Sequence, residues 1–101
     1  MLFELNGAKF MVKFSRVGTN TFAELWQEKP DIGFDCLNIM DAAYCNPKDR
    51  FEKSKGRKVA LKKLFRRMNI FAVENDNFVL SNTKEQRAEI WKIYFKEHKK
   101  N

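Results

Sequence analysis

The sequence predicts an α+β fold, in which an N-terminal antiparallel sheet packs against two C-terminal helices. In the first half of the chain, short apolar runs alternate with polar residues and end at turn signals, which is typical of strands. In the second half, apolar residues recur every three or four positions, which is typical of amphipathic helices. The chain has 101 residues and no visible linker or repeat, so we expect a single domain over residues 1–101.

The first element predicted is a β-hairpin. Leu2 to Leu5 is a short apolar run, and Asn6-Gly7 after it is a strong signal for a tight hairpin turn. Residues 9–17 then alternate between apolar and polar side chains, as expected for a strand with one buried face.

Two further stretches complete the predicted sheet. Residues 21–28 are ambiguous, because Thr21 and Glu24 have the spacing of a helical capping box. We favour a strand there, since the surrounding pattern is β. After a turn at Pro30 to Gly33, residues 34–45 are rich in apolar side chains and predict one bent strand or two short ones.

The first helix has an ambiguous start. Asn46 followed by Pro47 resembles a helix cap and first position. Strong helical periodicity, however, covers only residues 57–68. Gly56 could therefore break a single helix or begin a second one.

The end of the chain predicts a connector and a second helix. Residues 70–73 and 78–80 are short apolar runs separated by polar residues, which suggests a second hairpin or an extended connector. Thr83 and Gln86 have capping-box spacing, so we expect a helix from Lys84 to about His98.

The basic residues are concentrated in one segment. Ten of the twenty Lys and Arg residues lie between Lys48 and Arg67, where only Asp49 and Glu52 are acidic, so this segment carries +8. The whole chain carries +7, so the remainder is close to neutral. A local concentration of one sign of charge attracts an anionic partner.

Helical periodicity places five of these cations on the side opposite the apolar stripe. They are Lys58, Lys62, Lys63, Arg66 and Arg67. None of the five has an acidic residue three or four positions away. Like charges one turn apart on a helix repel by roughly a few tenths of a kcal/mol per pair. A partner that carries phosphates or carboxylates would offset this repulsion. Alternatively, carboxylates of the same fold could do so, and the candidates are Asp31, Asp35, Asp41 and Glu74.

Cations also surround the possible helix start at Gly56. Lys53, Lys55 and Arg57 would oppose the macrodipole if the helix begins near them, and a bound anion would reverse that effect. If the helix begins at Pro47 instead, these residues are interior and the argument does not apply.

Two arginines lie within apolar arcs. Arg57 and Arg87 must each find an acid, a carbonyl, an aromatic face or a ligand, because a guanidinium is not buried without a partner. One interpretation makes them structural clamps paired with acids such as Asp49, Glu52 or Asp41. The other places Lys48, Arg57 and Arg87 around one anion pocket that would hold a small nucleotide signal.

Catalytic and metal-binding signatures are not visible. His98 is the only histidine, and Cys36 and Cys45 have neither metal-ligand spacing nor an evident base nearby. No run approaches the ~20 apolar residues of a membrane span, and the first fourteen residues lack the pattern of a signal peptide. We therefore expect a cytoplasmic protein with reduced cysteines, no enzymatic activity and no cofactor, the runner-up being a metal-dependent nuclease built from scattered acids.

Two motifs carry a resemblance. Residues 45–51 read Cys-Asn-Pro-Lys-Asp-Arg-Phe, and residues 55–61 read Lys-Gly-Arg-Lys-Val-Ala-Leu. They resemble small phage-encoded proteins with the signature Cys-x-Pro-Lys-Asp-x-Phe…Gly-Arg-Lys-x-Ala-Leu. The similarity spans roughly residues 43–96, including Lys-Glu-x-Arg-x-x-x-Trp-x-x-Tyr at 84–94, with an extra stretch at 69–82.

The resemblance implies an origin and a setting. These phage proteins have no assigned activity, so no catalytic residue is implied for this chain. A phage accessory protein would act in the bacterial host cytoplasm, where small proteins of this kind often bind and block host machinery, including nuclease-based immunity.

The leading hypothesis is a non-enzymatic binder and inhibitor of host immunity. Its anionic partner would be nucleic acid, or the nucleic-acid-binding surface of a host defence complex. The alternatives are an inhibitor that docks on an acidic host protein and a sponge for a small nucleotide. The residues predicted to bind the anion are Lys48, Lys55, Arg57, Lys58, Lys62, Lys63, Arg66, Arg67 and Arg87.

Overall fold

The computed structural model describes residues 1–46, 48, 50 and 52–98. In chain order its elements are β1 (Leu2–Leu5), β2 (Ala8–Val17), β3 (Asn20–Lys29), β4 (Gly33–Ala43), α1 (Lys53–Glu74), a 3₁₀ helix (Phe78–Leu80) and α2 (Lys84–Glu97). The four strands form one antiparallel meander in the order β1-β2-β3-β4. The predicted α+β arrangement, with the sheet first and two helices after it, is confirmed.

The β1–β2 hairpin forms where the sequence predicts it. Asn6 and Gly7 both have positive φ, 52° and 81°, which suits the right-handed twist of the strands that they join. The preference for a strand over residues 21–28 is also confirmed. Thr21 and Glu24 lie in β3, where Thr21 pairs with Arg16 of β2, so their capping-box spacing has no structural role.

The last strand is a single bent one. Its register with β3 shifts between the pairs Leu25–Ile39 and Trp26–Cys36, and Asn38 in the shifted stretch has φ 58°. An irregularity of this kind bends the strand locally and increases its twist. Of the two alternatives for residues 34–45, one bent strand is therefore correct.

The core lies between one face of the sheet and the helices. The strands contribute alternate residues, as the period of two requires, and the helices contribute residues at helical spacing. The main buried side chains are Phe3, Leu5, Phe10, Val12, Ala23, Leu25 and Ile39 of the sheet, Ala60, Leu61, Leu64, Phe65, Met68 and Ala72 of α1, Leu80 of the 3₁₀ helix, and Ile90 and Tyr94 of α2.

The prediction of a second hairpin or extended connector was wrong. Residues 70–73 belong to α1, and residues 78–80 form the 3₁₀ helix. The buried stripe of α1 continues from Met68 to Ala72, one turn further on. A run of four apolar residues is too short to distinguish strand from helix, and here packing of Ala72 into the core decides for helix.

Gly56 neither breaks a helix nor begins one, because it lies inside α1. The predicted start at Pro47 lies outside the described residues, and the described helix begins at Lys53. An added Cβ at Gly56 would collide with Oγ1 of Thr21 and lie 3.2 Å from its Cβ. The absence of a side chain at Gly56 therefore allows α1 to pack closely against β3.

The start of α2 has the predicted capping box. Thr83 Oγ1 accepts a hydrogen bond from the Gln86 amide (3.2 Å), and Gln86 Oε1 accepts one from the Thr83 amide (2.9 Å). Asn6 in the hairpin turn donates to the Ser81 carbonyl (2.7 Å) and accepts from the Gln86 side chain (2.9 Å). These bonds connect the first hairpin to the start of the last helix. Within the described ranges, no helix is long and apolar enough to cross a bilayer.

Candidate anion-binding surface

The exposed side of α1 carries a cluster of cations that we call the basic surface. Its members are Lys55, Lys58, Lys62, Lys63, Arg66 and Arg67, all of them exposed. They occupy this side because α1 turns its apolar stripe, centred on Leu61, Leu64 and Met68, into the core. The helical periodicity that predicted a basic face is thus realised in the fold.

Lys63 and Arg67 lean towards β4 at the edge of the sheet. Lys63 Nζ donates a hydrogen bond to the Ala42 carbonyl (3.1 Å) and lies 5.7 Å from the centre of the Tyr44 ring. Arg67 Nη2 lies 3.6 Å from Asp41 Oδ2. An exposed ion pair of this kind contributes only about 0–1 kcal/mol and leaves the guanidinium open to solvent.

Lys58 leans in the other direction, towards α2. Its Nζ lies 5.5 Å from the centre of the Phe95 ring, within the range of a cation–π contact. The ring of Phe95 is half exposed and stacks on Trp91. The basic surface therefore extends from the edge strand across α1 to α2.

Lys55, Lys62 and Arg66 form the centre of the basic surface. At 100° per residue they fall within about 40° of one another around the helix axis. In the part of the chain that the structure describes, none of the three has an acidic partner within 4 Å, and Arg67–Asp41 is the one ion pair of the basic surface. Among the described residues, carboxylates of the same fold, which were the alternative source of counter-charge, therefore pair with one of the six cations of the basic surface.

The charge distribution of α1 opposes its own dipole. Its first turn contains no acid, its last turn contains no base, and the side chain of the N-cap residue, Glu52, makes no capping hydrogen bond. Lys53, Lys55 and Arg57 lie at the positive end of the dipole, and Glu74 lies at the negative end. Of the two alternatives, a helix that begins near these cations or one that begins at Pro47, the described helix matches the first, since it begins at Lys53.

Arg57 lies on the opposite side of α1 from the basic surface, towards the sheet. It is partly buried, and its Nε has no hydrogen-bond partner within the described structure. It borders an open cleft of about 300 Å³ between the start of α1 and the end of the β2–β3 hairpin. Neither Glu52 nor Asp41, two of the three acids predicted to clamp it, forms an ion pair with it.

Arg87 is held in a different part of the fold. Its Nη1 donates to the backbone carbonyl and to Oδ1 of Asn82, both at 3.0 Å. Asn82 is 6% exposed, and its side chain also donates to the Phe65 carbonyl (3.1 Å) and accepts from Asn69 (3.2 Å). Arg87 therefore clamps the loop before α2 to α1, although its partner is an amide and not the acid that was predicted.

Neither Lys48 nor Arg87, which were predicted to form one pocket with Arg57, lines the cleft that Arg57 borders. Arg87 lies in the first turn of α2, whereas Arg57 acts electrostatically on His98, just beyond the other end of that helix. Eleven residues of α-helix separate these two positions by about 16 Å. Lys48 is exposed, and its amide donates to Asn46 Oδ1 (3.0 Å).

Arg16 is a cation that the sequence-based prediction missed. It borders the same cleft as Arg57 and Lys53. Lys53 was expected near a possible anion at the helix start but was not among the residues predicted to bind one. The signal for Arg16 was present, because it continues the alternation Phe10, Val12, Phe14 that defines the buried face of β2. Arg16 is on the same face of β2 as these apolar residues, but it lies near the end of the strand, where the face borders the cleft and not the core.

No protein-family model matches the chain, and comparison with curated proteins and with solved structures gives no significant match. Among the described residues, no three His, Cys, Asp or Glu side chains lie together as metal ligands would. The fold and its surface together define an α+β protein with a basic helix exposed beside an edge strand.

Proposed function

We propose that this protein is a non-enzymatic binder that engages the phosphates of a nucleic acid through its basic surface. The observation that supports this proposal is the shortage of counter-charge: one of the six cations has an acidic partner among the described residues. Like charges one turn apart on a helix face are unfavourable without an anion, and Lys55 also lies near the positive end of the helix dipole. A polyanionic backbone would supply the missing charge along the length of the exposed helix face.

The chemistry of these side chains favours contacts to the backbone over base reading. Lys and Arg on an exposed helix face reach phosphate oxygens, which position a protein on a nucleic acid without reading its sequence. Each neutralised phosphate releases condensed counterions. If about five are neutralised, log affinity falls with log salt at a slope of roughly −3.5 to −4.5.

The setting that we propose is the cytoplasm of a bacterial host during phage infection. The resemblance of residues 43–96 to small phage-encoded proteins supports this setting. In it, the protein would inhibit host immunity by occupying nucleic acid that a defence complex needs.

Fluorescence anisotropy with labelled duplex DNA and single-stranded RNA at several salt concentrations tests the proposal. Replacing Lys55, Lys62 and Arg66 by Gln should weaken binding strongly and reduce the salt slope by about 2 to 3, because three phosphate contacts are removed. The matched control replaces Lys9, Lys84 and Lys96, which are exposed elsewhere, and removes the same charge. Equal losses in both variants, or a slope near zero in the parent protein, would exclude this function.

A second candidate is an inhibitor that docks on an acidic host protein. It is favoured by three apolar side chains, Val59, Ile70 and Val73, which fall within about 40° of Arg66 around the helix and are 37%, 40% and 72% exposed. Protein interfaces combine apolar area with Arg, whereas phosphate contacts do not need the apolar part.

The two candidates give different results with one variant. Replacing Ile70 and Val73 by Ser should leave nucleic-acid affinity within about twofold if phosphates are the target, because their contacts are electrostatic. If an acidic protein is the target, the parent protein should show little affinity for free DNA or RNA. The double variant should then no longer pull down the single host protein that the parent recovers from lysate.

A further inference from the structure

A second cationic site lies where the start of α1 meets the end of the β2–β3 hairpin. It is the open cleft of about 300 Å³ described above. The residues that line it are Phe14, Ser15, Arg16, Thr21, Lys53 and Arg57. This set contains three cations, two hydroxyl groups, one aromatic ring and no acid.

The fold brings these residues together from separate parts of the chain. Arg16 and Thr21 are paired across β2 and β3, so both lie at the same level of the hairpin. Lys53 and Arg57 are one helical turn apart on α1 and therefore project to the same side. The close approach of α1 to Thr21, which Gly56 permits, places the helical pair over the strand pair.

Arg57 has an unmet hydrogen-bonding requirement. Its guanidinium is permanently charged, and its Nε–H is buried without an acceptor in the described structure. Leaving a buried donor unsatisfied is unfavourable, more so for a charged group. Arg57 itself lines the cleft, so an acceptor oxygen bound there would meet its positive charge, and the Glu52 side chain does not cap the nearby amides of α1.

We propose that this cleft binds the phosphate group of a small phosphomonoester, with Arg16, Lys53 and Arg57 sharing its charge. The hydroxyl group of Thr21, which lies on the same face of the sheet as Arg16, can donate to a phosphate oxygen. The ring of Phe14 offers an apolar wall to the group that carries the phosphate. A volume of about 300 Å³ lies at the lower end of small-molecule sites, so the part of the ligand held in the cleft is no larger than a mononucleotide.

This site is distinct from the basic surface, because Arg57 projects to the opposite side of α1 from Lys62 and Arg66. It is also distinct from the pocket predicted from Lys48, Arg57 and Arg87, because neither Lys48 nor Arg87 lines it. The proposal does not depend on nucleic-acid binding by the basic surface, and either of the two can fail alone.

The direct test is titration of the whole protein with inorganic phosphate, adenosine monophosphate and adenosine, followed by NMR and calorimetry. Phosphate and the monophosphate should bind saturably, whereas adenosine should not. Arg57→Gln should weaken binding of the monophosphate by about tenfold or more, because it removes a charged donor. The matched control Lys84→Gln removes one exposed charge outside both the cleft and the basic surface and should leave binding unchanged.

His98 provides an independent readout. Burial, and then the neighbouring Arg57, lower the pKa of His98. An anion bound against Arg57 would offset the second effect, so saturating phosphate should raise the pKa of His98 towards 6.5 in the parent protein. If Arg57→Gln does not fold, Lys53→Gln is an exposed replacement in the same cleft and should still weaken binding.

The phosphate could come from a free metabolite or from the 5′ end of a nucleic-acid strand. Competition in the variant that lacks Lys55, Lys62 and Arg66 separates these sources. Displacement of the monophosphate by a 5′-phosphorylated dinucleotide, and not by its unphosphorylated form, would identify a strand end, whereas no displacement by either would identify a free phosphomonoester. Absence of saturable phosphate and monophosphate binding, or binding unaffected by both cleft substitutions, would overturn the proposal.

Discussion

Replacing Gly56 by Ala separates the helical preference of this segment from its packing. In an open helix interior, Ala is more favourable than Gly by about 1 kcal/mol. Gly56, however, faces Thr21 of β3, which is 5% exposed, and an added Cβ would collide with Oγ1 of Thr21 and lie 3.2 Å from its Cβ. The helix would have to move away from the sheet or force Thr21 from its position.

The magnitude follows from two opposing contributions. Introducing a carbon into a packed contact destabilises by typically about 1–3 kcal/mol. The gain in helical propensity offsets about 1 kcal/mol of this. We therefore expect Gly56→Ala to lower the free energy of unfolding by about 1 kcal/mol, which in a domain of this size corresponds to a decrease in Tm of about 4–8 °C.

Urea unfolding followed by tryptophan fluorescence and far-ultraviolet circular dichroism would measure the change. Trp26 on the sheet and Trp91 on α2 report on both layers of the fold. Thr21→Ala removes Oγ1 and Cγ2, so in that background the loss caused by Gly56→Ala should shrink to about 0.5 kcal/mol or less. A coupling energy of that sign shows that the two residues are in contact.

A Gly56→Ala variant that is more stable than the parent protein would refute this reasoning. If Gly56→Ala raised the free energy of unfolding by about 1 kcal/mol in the parent protein, helix propensity alone would account for it. The close approach of α1 to β3 would then be wrong, and with it the arrangement of Lys53 and Arg57 over the hairpin end. Lys62→Ala, at an exposed interior position of the same helix, controls for propensity without this contact.

Two further predictions concern the polar groups that hold α2 in place. Asn82→Ala should lower the free energy of unfolding by about 1–3 kcal/mol in urea denaturation, because the buried amide's hydrogen bonds to Phe65, Asn69 and Arg87 are lost; a change below about 0.5 kcal/mol would contradict this network. Burial, then Arg57, lower the pKa of His98, so the unfolded chain takes up a proton more readily than the folded one. The contribution of His98 to the free energy of unfolding should therefore be fully present well above pH 6.5 and should be lost as the pH falls through that value. His98→Gln should flatten this decrease between about pH 7.5 and 5.5, and an unchanged slope would refute the assignment.

Local signals predicted most of the elements. The Asn6-Gly7 turn and the alternation after it identify the first hairpin, and the capping box at Thr83 identifies the start of α2, because the groups that interact are a few residues apart in the chain. The error at residues 70–73 arose where a short apolar run fits two periods. Burial of Ala72 against the core, which is a tertiary contact, extended the helix.

The basic surface was predictable for the same reason. Lys58, Lys62 and Arg66 are spaced by about one helical turn, so once a helix forms they share one side whatever packs on the other. The contacts that each cation makes were not predictable. Whether Arg67 meets Asp41, or Lys63 meets the Ala42 carbonyl, depends on how the edge strand lies beside the helix.

By itself, the sequence determined the meander, the two helices and the cationic side of α1, since these depend on short-range geometry and on the sorting of apolar from charged side chains. Only the tertiary structure decided that Arg87 is a clamp on Asn82 and that Arg57 joins Arg16 and Lys53 at a cleft. The reason is separation along the chain. Arg16 lies in a strand far before α1, and no local pattern encodes where a helix will cross a sheet.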